Sequence, residues 1–213
     1  MNVVLYGATG MIGQRILNEL LARGHKVKAV ARHPEKIATN ANVTAVQGNV
    51  MDVNSIAEIA KGTDAVISAY GPGAAALADP YKLMEDSTRA LIEGTKKAGA
   101  PRLLMVGGAG SLMVGPGVDL IDSGHLPDAW KPIAIAHRDA LKLLRESNVN
   151  WTSLSPAAFI EPGKRTGEFR SGTDSLITDG DGKSRISAED YAVALVDELE
   201  QARHVRQRFT VAY

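Results

Sequence analysis

"VVLYGATGMIGQRILNELLARG", residues 3–24, joins an apolar run to a helical segment through a glycine-rich turn. The run VVLY is typical of a buried strand, and the isoleucines and leucines that follow recur at helical spacing. Gly7, Gly10 and Gly13 let the backbone turn tightly and let an anion approach the helix N-terminus, where free amides stabilise negative charge. Their spacing departs from the G-x-G-x-x-G fingerprint, but in a strand–turn–helix context it predicts a dinucleotide site. The predicted pyrophosphate-binding residues are Gly7, Ala8, Thr9, Gly10, Met11, Ile12 and Gly13.

The alternation of β-branched runs and helical segments continues along most of the chain. It predicts βαβ units and a Rossmann-type, doubly wound, mainly parallel sheet in a single NAD(P)-binding α/β domain, residues 1–213. The predicted strands cover residues 3–6, 27–31, 43–47, 65–69, 102–106 and 151–155, and the predicted helices cover residues 11–23, 53–61, 80–98 and 131–144.

Two segments depart from this alternation. Loop 107–129 is too long for an ordinary connection and follows the fifth strand, at the sheet edge where ligands bind in open α/β folds. Residues 156–186 are predicted to form a small C-terminal annex, with a hairpin within 167–182 near an Asp-Gly turn. We call the loop and the annex the substrate side. The run RFTVA, residues 208–212, is predicted to be a last edge strand.

Composition narrows the classes of function. The chain has no cysteine, which excludes thiol catalysis and cysteine–zinc sites and fits a reducing compartment, so we expect a cytoplasmic protein. Its five histidines lack metal-site spacing, and no metal is expected. The 24 lysines and arginines balance 24 aspartates and glutamates, so no overall field favours nucleic acid or a membrane surface. The expected partner is a small molecule, bound by a monomer or homodimer.

The end of the second strand discriminates between dinucleotides. An acidic residue there would bind the adenine ribose hydroxyls, whereas an arginine accommodates the 2′-phosphate of NADP. Arg32 occupies this place, with His33 and Lys36 as candidate helpers and Glu35 as an opposing charge. We therefore expect NADPH to be preferred over NADH, through charge-assisted hydrogen bonds from the guanidinium. The alternative is that Arg32 is an ordinary solvated surface charge.

Two later strand ends complete the predicted cofactor site, because the carboxyl ends of parallel strands meet at one edge of the sheet. Gly48, Asn49 and Val50 follow the third strand and are expected to border the adenine. Asp52 in the same turn is equally suited to cap the next helix. The residues at the end of the fourth strand, expected near the ribose and nicotinamide, are Ser68, Ala69, Tyr70 and Gly71.

These motifs carry a family resemblance. GATGMIG, Arg32, VGGAGS (106–111) and RESNVNWTSLSP (145–156) together resemble the atypical, or extended-type, short-chain dehydrogenase/reductases. Within that superfamily the chain is most similar to the NADH-flavin reductase group, which is related to biliverdin reductase B and to NmrA-like proteins. The resemblance covers nearly the full chain. It implies a Rossmann-type fold and a nicotinamide dinucleotide cofactor.

The resemblance also exposes a departure from the superfamily. Its active members carry a Tyr-x-x-x-Lys pair on the helix after the fifth strand, and the match places that pair at Ile133 and His137. This disfavours tyrosine-assisted alcohol oxidation and sugar epimerisation. The resemblance implies that His137 lies close to the nicotinamide and that Ser111 borders the substrate, which makes these two the candidate catalytic residues. Helical spacing alone is equally consistent with His137 as a core side chain.

The resemblance implies hydride transfer to a flavin such as FMN or riboflavin, a quinone, or a similar planar acceptor. Such a reaction asks the protein mainly to align two rings and to exclude water. The flavin could be a substrate or a bound cofactor. The alternatives are an NmrA-like NADP-binding redox sensor without turnover, and a relative of sugar-nucleotide epimerases and dehydratases. The candidate substrate-binding residues are Ser111, Trp130, Pro156 and Phe159; Phe159 is equally suited to the core.

Overall fold

The computed structural model describes residues 1–38, 41–72 and 79–213. The strands are β1 (Asn2–Tyr6), β2 (Lys26–Ala31), β3 (Val43–Gln47), β4 (Ala65–Ser68), β5 (Leu103–Val106), β6 (Met113–Gly115), β7 (Val118–Asp119), β8 (Trp151–Ser155), β9 (Phe159–Glu161), β10 (Arg170–Gly172), β11 (Arg185–Ser187) and β12 (Gln207–Ala212). The helices are α1 (Met11–Ala22), α2 (Val53–Ala60), α3 (Pro80–Ala98), α4 (Lys131–Glu146) and α5 (Ala188–Gln201).

Within the described residues, eight strands form one sheet in the order β10-β12-β8-β5-β4-β1-β2-β3. All neighbouring pairs in it are parallel except β10 with β12. The chain winds outward from β1 to β3, then crosses to β4 on the other side of β1. The crevice at this reversal, outside the carboxyl ends of β1 and β4, is where such sheets bind ligands. The predicted Rossmann-type, mainly parallel fold is confirmed.

Helices cover both faces of the sheet, as the side chains of β1 show. Val3 and Leu5 belong to the core cluster that includes residues of α1 and α5. Val4 and Tyr6 belong to the cluster built with residues of α2, α3 and α4. Because strands buried on both faces need apolar residues at consecutive positions, the central strands read as unbroken apolar runs in the sequence.

The last third of the chain corrects two sequence predictions. The hairpin expected within 167–182 is wrong, because β10 pairs antiparallel with β12, and β11 pairs in parallel with β9. The Asp-Gly turn does form, closed by a hydrogen bond from the Gly182 amide to the Asp179 carbonyl. The edge-strand prediction for 208–212 is also wrong, since β12 lies between β8 and β10. Both errors concern pairing between segments distant in sequence, which local patterns do not specify.

The two segments of the substrate side are joined to each other. The Met113 amide donates to the Asp174 carbonyl at 2.8 Å, and the Leu176 amide donates to the Met113 carbonyl at 2.9 Å. Thus the short β6–β7 hairpin inside loop 107–129 is hydrogen-bonded to the annex. Among the described helices, none is long and apolar enough to cross a membrane.

Candidate functional site

The turn after β1 is built so that only glycine fits at two of its positions. Gly7 has a φ of +78°, and a Cβ there would lie 2.5 Å from the carbonyl oxygen of Ala69. A Cβ on Gly13 would lie 2.0 Å from the carbonyl oxygen of Gly7. The Gly10 amide closes the turn by donating to the Gly7 carbonyl at 3.0 Å. The backbone of the turn is therefore packed tightly between α1 and the end of β4.

The N-terminus of α1 is left free to bind an anion. Gly10 is the N-cap residue, and no side chain in the described part of the protein caps the helix. The amides of Met11, Ile12 and Gly13 consequently have no acceptor within the helix. Free amides and the positive end of the helix dipole together stabilise a bound phosphate. The close-packed glycine turn and the uncapped helix fit the pyrophosphate of a dinucleotide.

A cleft of about 480 Å³ opens beside this turn at the carboxyl ends of the strands. Its lining includes the predicted cofactor residues Gly7, Thr9, Gly10, Arg32, Asn49, Val50, Ala69, Tyr70 and Gly71. Gly48, also expected at the end of the third strand, lines the cleft too. The sequence did not single out the further lining residues Tyr6, Val30, Ala31, Met51 and Leu83. Most of these lie next to predicted residues at the same strand ends. Including one or two more residues at each strand end would therefore have identified them. Leu83 comes from α3 and had no local signal.

The remaining predicted cofactor residues lie around the cleft. Ala8 and Ser68 are buried, and the Ser68 hydroxyl accepts a hydrogen bond from the Tyr70 amide at 3.3 Å. His33 is exposed and pairs with Glu35 at 3.2 Å, while Lys36 is exposed on the turn that follows. Neither of the two candidate helpers of Arg32 belongs to the lining of the cleft.

Arg32 is exposed at the mouth of the cleft and makes no ion pair or hydrogen bond with the residues that the structure describes. Its charge nevertheless acts on Tyr70: burial raises the pKa of the Tyr70 hydroxyl, and Arg32 partly offsets this. An arginine without a carboxylate partner is available to a phosphate, which its planar guanidinium can bind through two hydrogen bonds.

Asp52, for which two roles were open, caps a helix. Its Oδ1 accepts hydrogen bonds from the amides of Asn54 at 2.9 Å and Ser55 at 3.1 Å, at the start of α2. This is the usual behaviour of an N-cap aspartate. Burial, with a smaller contribution from the Asp52 charge, raises the pKa of the Tyr6 hydroxyl. Asp52 is absent from the cleft lining.

His137 stands against the backbone that follows β5. A Cβ on Gly108 would lie 2.7 Å from the Cβ of His137, so glycine is needed there for the imidazole to pack this closely. The ring makes no hydrogen bond with any described residue, and burial lowers the pKa of His137 to about 4. At neutral pH the imidazole is therefore uncharged, with one N–H donor and one acceptor nitrogen.

Tyr70 connects the cofactor cleft with helix α4. It lines the cleft and also packs against the cluster of Met84, Ala136 and Ala140, and Ala136 directly precedes His137. The two positions that match the superfamily's Tyr-Lys pair, Ile133 and His137, lie on this helix and carry neither a tyrosine nor a lysine.

The Ser111 hydroxyl is held by an arginine that the sequence analysis missed. Arg208 of β12, whose side chain is 3% exposed, donates to Ser111 Oγ at 3.2 Å and also forms an ion pair with Asp174. Ser111 accepts this hydrogen bond and keeps its own hydroxyl hydrogen. Because 97 residues separate the two in sequence, no local pattern indicated the contact.

Trp130 and Phe159, both predicted substrate residues, come together. Their ring centroids are 5.7 Å apart with an interplanar angle of 71°, an edge-to-face contact, and they remain 44% and 53% exposed. We call this pair the aromatic rim. The third predicted wall residue, Pro156, is buried instead. Phe159 is therefore not a core residue, which settles the alternative left open by its sequence.

Comparison with known proteins identifies the family. The model of a family described as NAD(P)H-binding matches residues 7–202. The chain belongs to this NAD(P)H-binding family. It is 40% identical to the protein YwnB of Bacillus subtilis (strain 168) over 215 aligned positions, which cover 99% of this chain and 98% of YwnB.

Two solved structures extend the match to the whole fold. The "putative epimerase" of Bacteroides thetaiotaomicron is 43% identical, with a TM-score of 0.91, over 100% of this chain and 96% of that one. The "putative NADH-flavin reductase" of Streptococcus pneumoniae TIGR4 is 32% identical, with a TM-score of 0.83, over 100% of this chain and 99% of that one. These matches confirm the resemblance to atypical short-chain dehydrogenase/reductases. Membership of the NAD(P)H-binding family supports a general assignment as an NAD(P)-dependent oxidoreductase.

Proposed function

We propose that this member of the NAD(P)H-binding family is a reductase that prefers NADPH and transfers hydride to a flavin, a quinone or a similar planar acceptor. The observation that carries the proposal is the uncharged His137 beside Gly108, where the superfamily's Tyr-Lys pair would stand. Without a tyrosine acid the site is poorly suited to alcohol chemistry. An electrophilic ring needs little proton assistance, because it accepts the hydride directly.

The residues of the cofactor cleft suit NADPH. A bound reduced nicotinamide would supply the hydride. The free amides at the start of α1 bind the pyrophosphate, and Arg32 binds the 2′-phosphate through charge-assisted hydrogen bonds. Tyr70 and Gly71, at the end of β4, border the ribose and nicotinamide. The similarity to a protein named as an NADH-flavin reductase supports the reaction type. The proposed preference for NADPH rests on Arg32.

On the acceptor side, the chain aligns the ring and supplies hydrogen bonds. The neutral imidazole of His137 and the hydroxyl of Ser111 each retain a hydrogen to donate to a carbonyl oxygen or ring nitrogen. The proton that completes the reduction comes from solvent, directly or through His137. The aromatic rim gives a flat ring an apolar surface against which to pack.

The test is a turnover assay. Purified protein is mixed with NADPH or NADH and with riboflavin, FMN or menadione under anaerobic conditions, and nicotinamide absorbance is followed. We expect sustained oxidation that is faster with NADPH when both dinucleotides are below saturation. Saturable binding of NADPH with no oxidation by any acceptor would contradict the proposal.

That negative outcome would favour a redox sensor without turnover. A specific observation gives this second function weight: with a pKa of about 4, His137 is a poor proton donor at neutral pH. The same anaerobic samples distinguish the two functions, because a sensor binds the dinucleotide and leaves it unchanged.

A further inference from the structure

The cations next to the aromatic rim and His137, in sequence or in strand register, all pair with carboxylates among the described residues. We propose that the acceptor part of this site is built for an uncharged planar ring and does not recognise a phosphate or carboxylate on the acceptor. The inference rests on the proposed reductase function, and narrows its substrate class.

Each of the three ring side chains assigned to the acceptor part has a cation next to it in sequence or in strand register. Lys131 follows Trp130 in the chain, and Arg138 follows His137 on α4, where consecutive side chains leave the helix in different directions. Arg185 of β11 is paired in register with Phe159 of β9, so their side chains leave the small sheet on the same face. An acceptor bound between the rings would therefore lie near cations. Whether those cations are free or paired with carboxylates decides whether the site favours an anionic acceptor.

All three cations already hold carboxylates. Lys131 Nζ lies 2.6 Å from Asp128. Arg138 Nη1 lies 3.2 Å from Asp119 and 3.4 Å from Asp122, both of which belong to the loop before α4. Asp128 balances the charge of Lys131, and the two aspartates at Arg138 leave no net positive charge there.

The third ion pair, between Arg185 and Asp179, is longer, but it also places a carboxylate next to the cation. Arg185 Nη2 lies 3.8 Å from Asp179, the residue that opens the Asp-Gly turn of the annex. The backbone amides of Asp181 and Lys183 donate to Asp179, and they fix its carboxylate in place. A phosphate that bound Arg185 would lie close to this fixed carboxylate, whose repulsion reduces the attraction.

The cofactor cleft has the features of an anion site, and it can be compared with the acceptor part of the same protein. Arg32 has no carboxylate partner among the described residues, and the helix beside it has free amides. The acceptor part has the opposite character, with exposed aromatic surface, a neutral imidazole and paired cations. The geometry therefore favours riboflavin-like rings and quinones, for which stacking and exclusion of water supply the binding.

The experiment compares riboflavin with FMN, which carry the same reacting ring and differ by one phosphate. We expect kcat/KM for the two flavins, measured with saturating NADPH, to differ by less than about threefold. Lys131→Gln and Arg185→Gln should leave the ratio between the two flavins unchanged. Trp130→Ala and Phe159→Ala should each raise the KM for both flavins by about 3–10-fold, from the loss of an aromatic contact. Val205→Ala, at an exposed apolar residue before β12, is the matched control.

A preference for FMN of tenfold or more that disappears in Arg185→Gln or Lys131→Gln would overturn the inference and leave the reductase function intact. A binding measurement separates the two claims further. Trp130 is exposed and Trp151 is buried, so quenching of Trp130 fluorescence in the NADP⁺-loaded protein reports flavin at the rim without turnover. Equal quenching by riboflavin and FMN supports the inference even if no hydride moves. Quenching by FMN alone, or by neither flavin, overturns it.

Discussion

The cofactor cleft and the aromatic rim differ in how they treat their positive charges. The cleft keeps its positive features unpaired: Arg32 has no described partner, and α1 begins without a side-chain cap. The rim pairs its cations with carboxylates and leaves Trp130 and Phe159 exposed. Unpaired charge costs little in an exposed cleft and is used when an anionic ligand arrives. This difference is the basis of our proposal that the protein binds a highly charged cofactor in the cleft and an uncharged ring at the rim.

The largest expected effect comes from a substitution in the glycine turn. Gly7→Ala places a methyl group 2.5 Å from the Ala69 carbonyl oxygen at a φ of +78°, so the turn must move. We expect NADPH affinity to fall by at least about a hundredfold, since the amides that bind the pyrophosphate shift with the turn. Isothermal titration calorimetry measures the change.

Gly24→Ala is the matched control for this substitution. Gly24 has nearly the same φ, +77°, but a Cβ there meets no atom within 4 Å. It should cost about 1 kcal/mol in stability, as a left-handed alanine does, and leave NADPH binding unchanged. Wild-type NADPH affinity in Gly7→Ala would show that the turn does not bind the cofactor.

The next largest effect comes from removing the unpaired charge of Arg32. Arg32→Gln should weaken NADPH binding by about 10–100-fold, the value of charged hydrogen bonds to a phosphate, and change NADH binding by less than about twofold. Arg89→Gln serves as the control, because Arg89 is an exposed arginine of α3 that pairs with Glu85. Equal losses for both dinucleotides would mean that Arg32 does not contact the 2′-phosphate.

The smallest expected effect concerns His137, on the acceptor side of the site. His137 has a pKa of about 4 in the folded protein, below the ordinary value of 6.5. As pH falls from about 6.5 to 4, the unfolded chain takes up a proton at this residue and the folded protein does not, so stability is lost over that window. The loss amounts to about 2 kcal/mol near pH 5.

His137→Gln should remove this loss, because glutamine does not titrate. The free energy of unfolding of the variant, relative to wild type, should therefore rise as pH falls from 6.5 to 5, as chemical denaturation at several pH values would show. His125→Gln makes the same substitution at an exposed loop histidine and is the control. A constant difference between His137→Gln and wild type over this range would mean that the imidazole is not kept neutral by burial.

The cofactor side of this protein was largely predictable from sequence, for a physical reason. Its strands are buried on both faces, its helices are amphipathic, and most residues that line its cleft come from strand ends, so each signal is local. Strand β3 and helix α3 have the predicted bounds, and Gly7, Arg32 and Asn49 all lie at the cleft.

The opposite side depends on contacts between distant segments, and the sequence could not specify them. The antiparallel pairing of β10 with β12 replaced an expected local hairpin. Arg208 reaches Ser111 across 97 residues, and Phe159 of β9 meets Trp130, which precedes α4. The two aromatic residues were identifiable as candidates because they lie in segments next to the predicted ligand edge, although Phe159 was equally suited to the core. The carboxylate partners of the flanking cations were not identifiable.

All the proposals for this protein depend on binding of a phosphorylated dinucleotide in the cleft beside the glycine turn. Calorimetric titration of the wild-type protein with NADPH and, separately, with NADH at the same ionic strength measures this binding. We expect one saturable site per chain and at least about tenfold tighter binding of NADPH, the difference that Arg32 supplies. Absence of a saturable complex with either dinucleotide would mean that the cleft does not bind the cofactor, whatever the acceptor assays show.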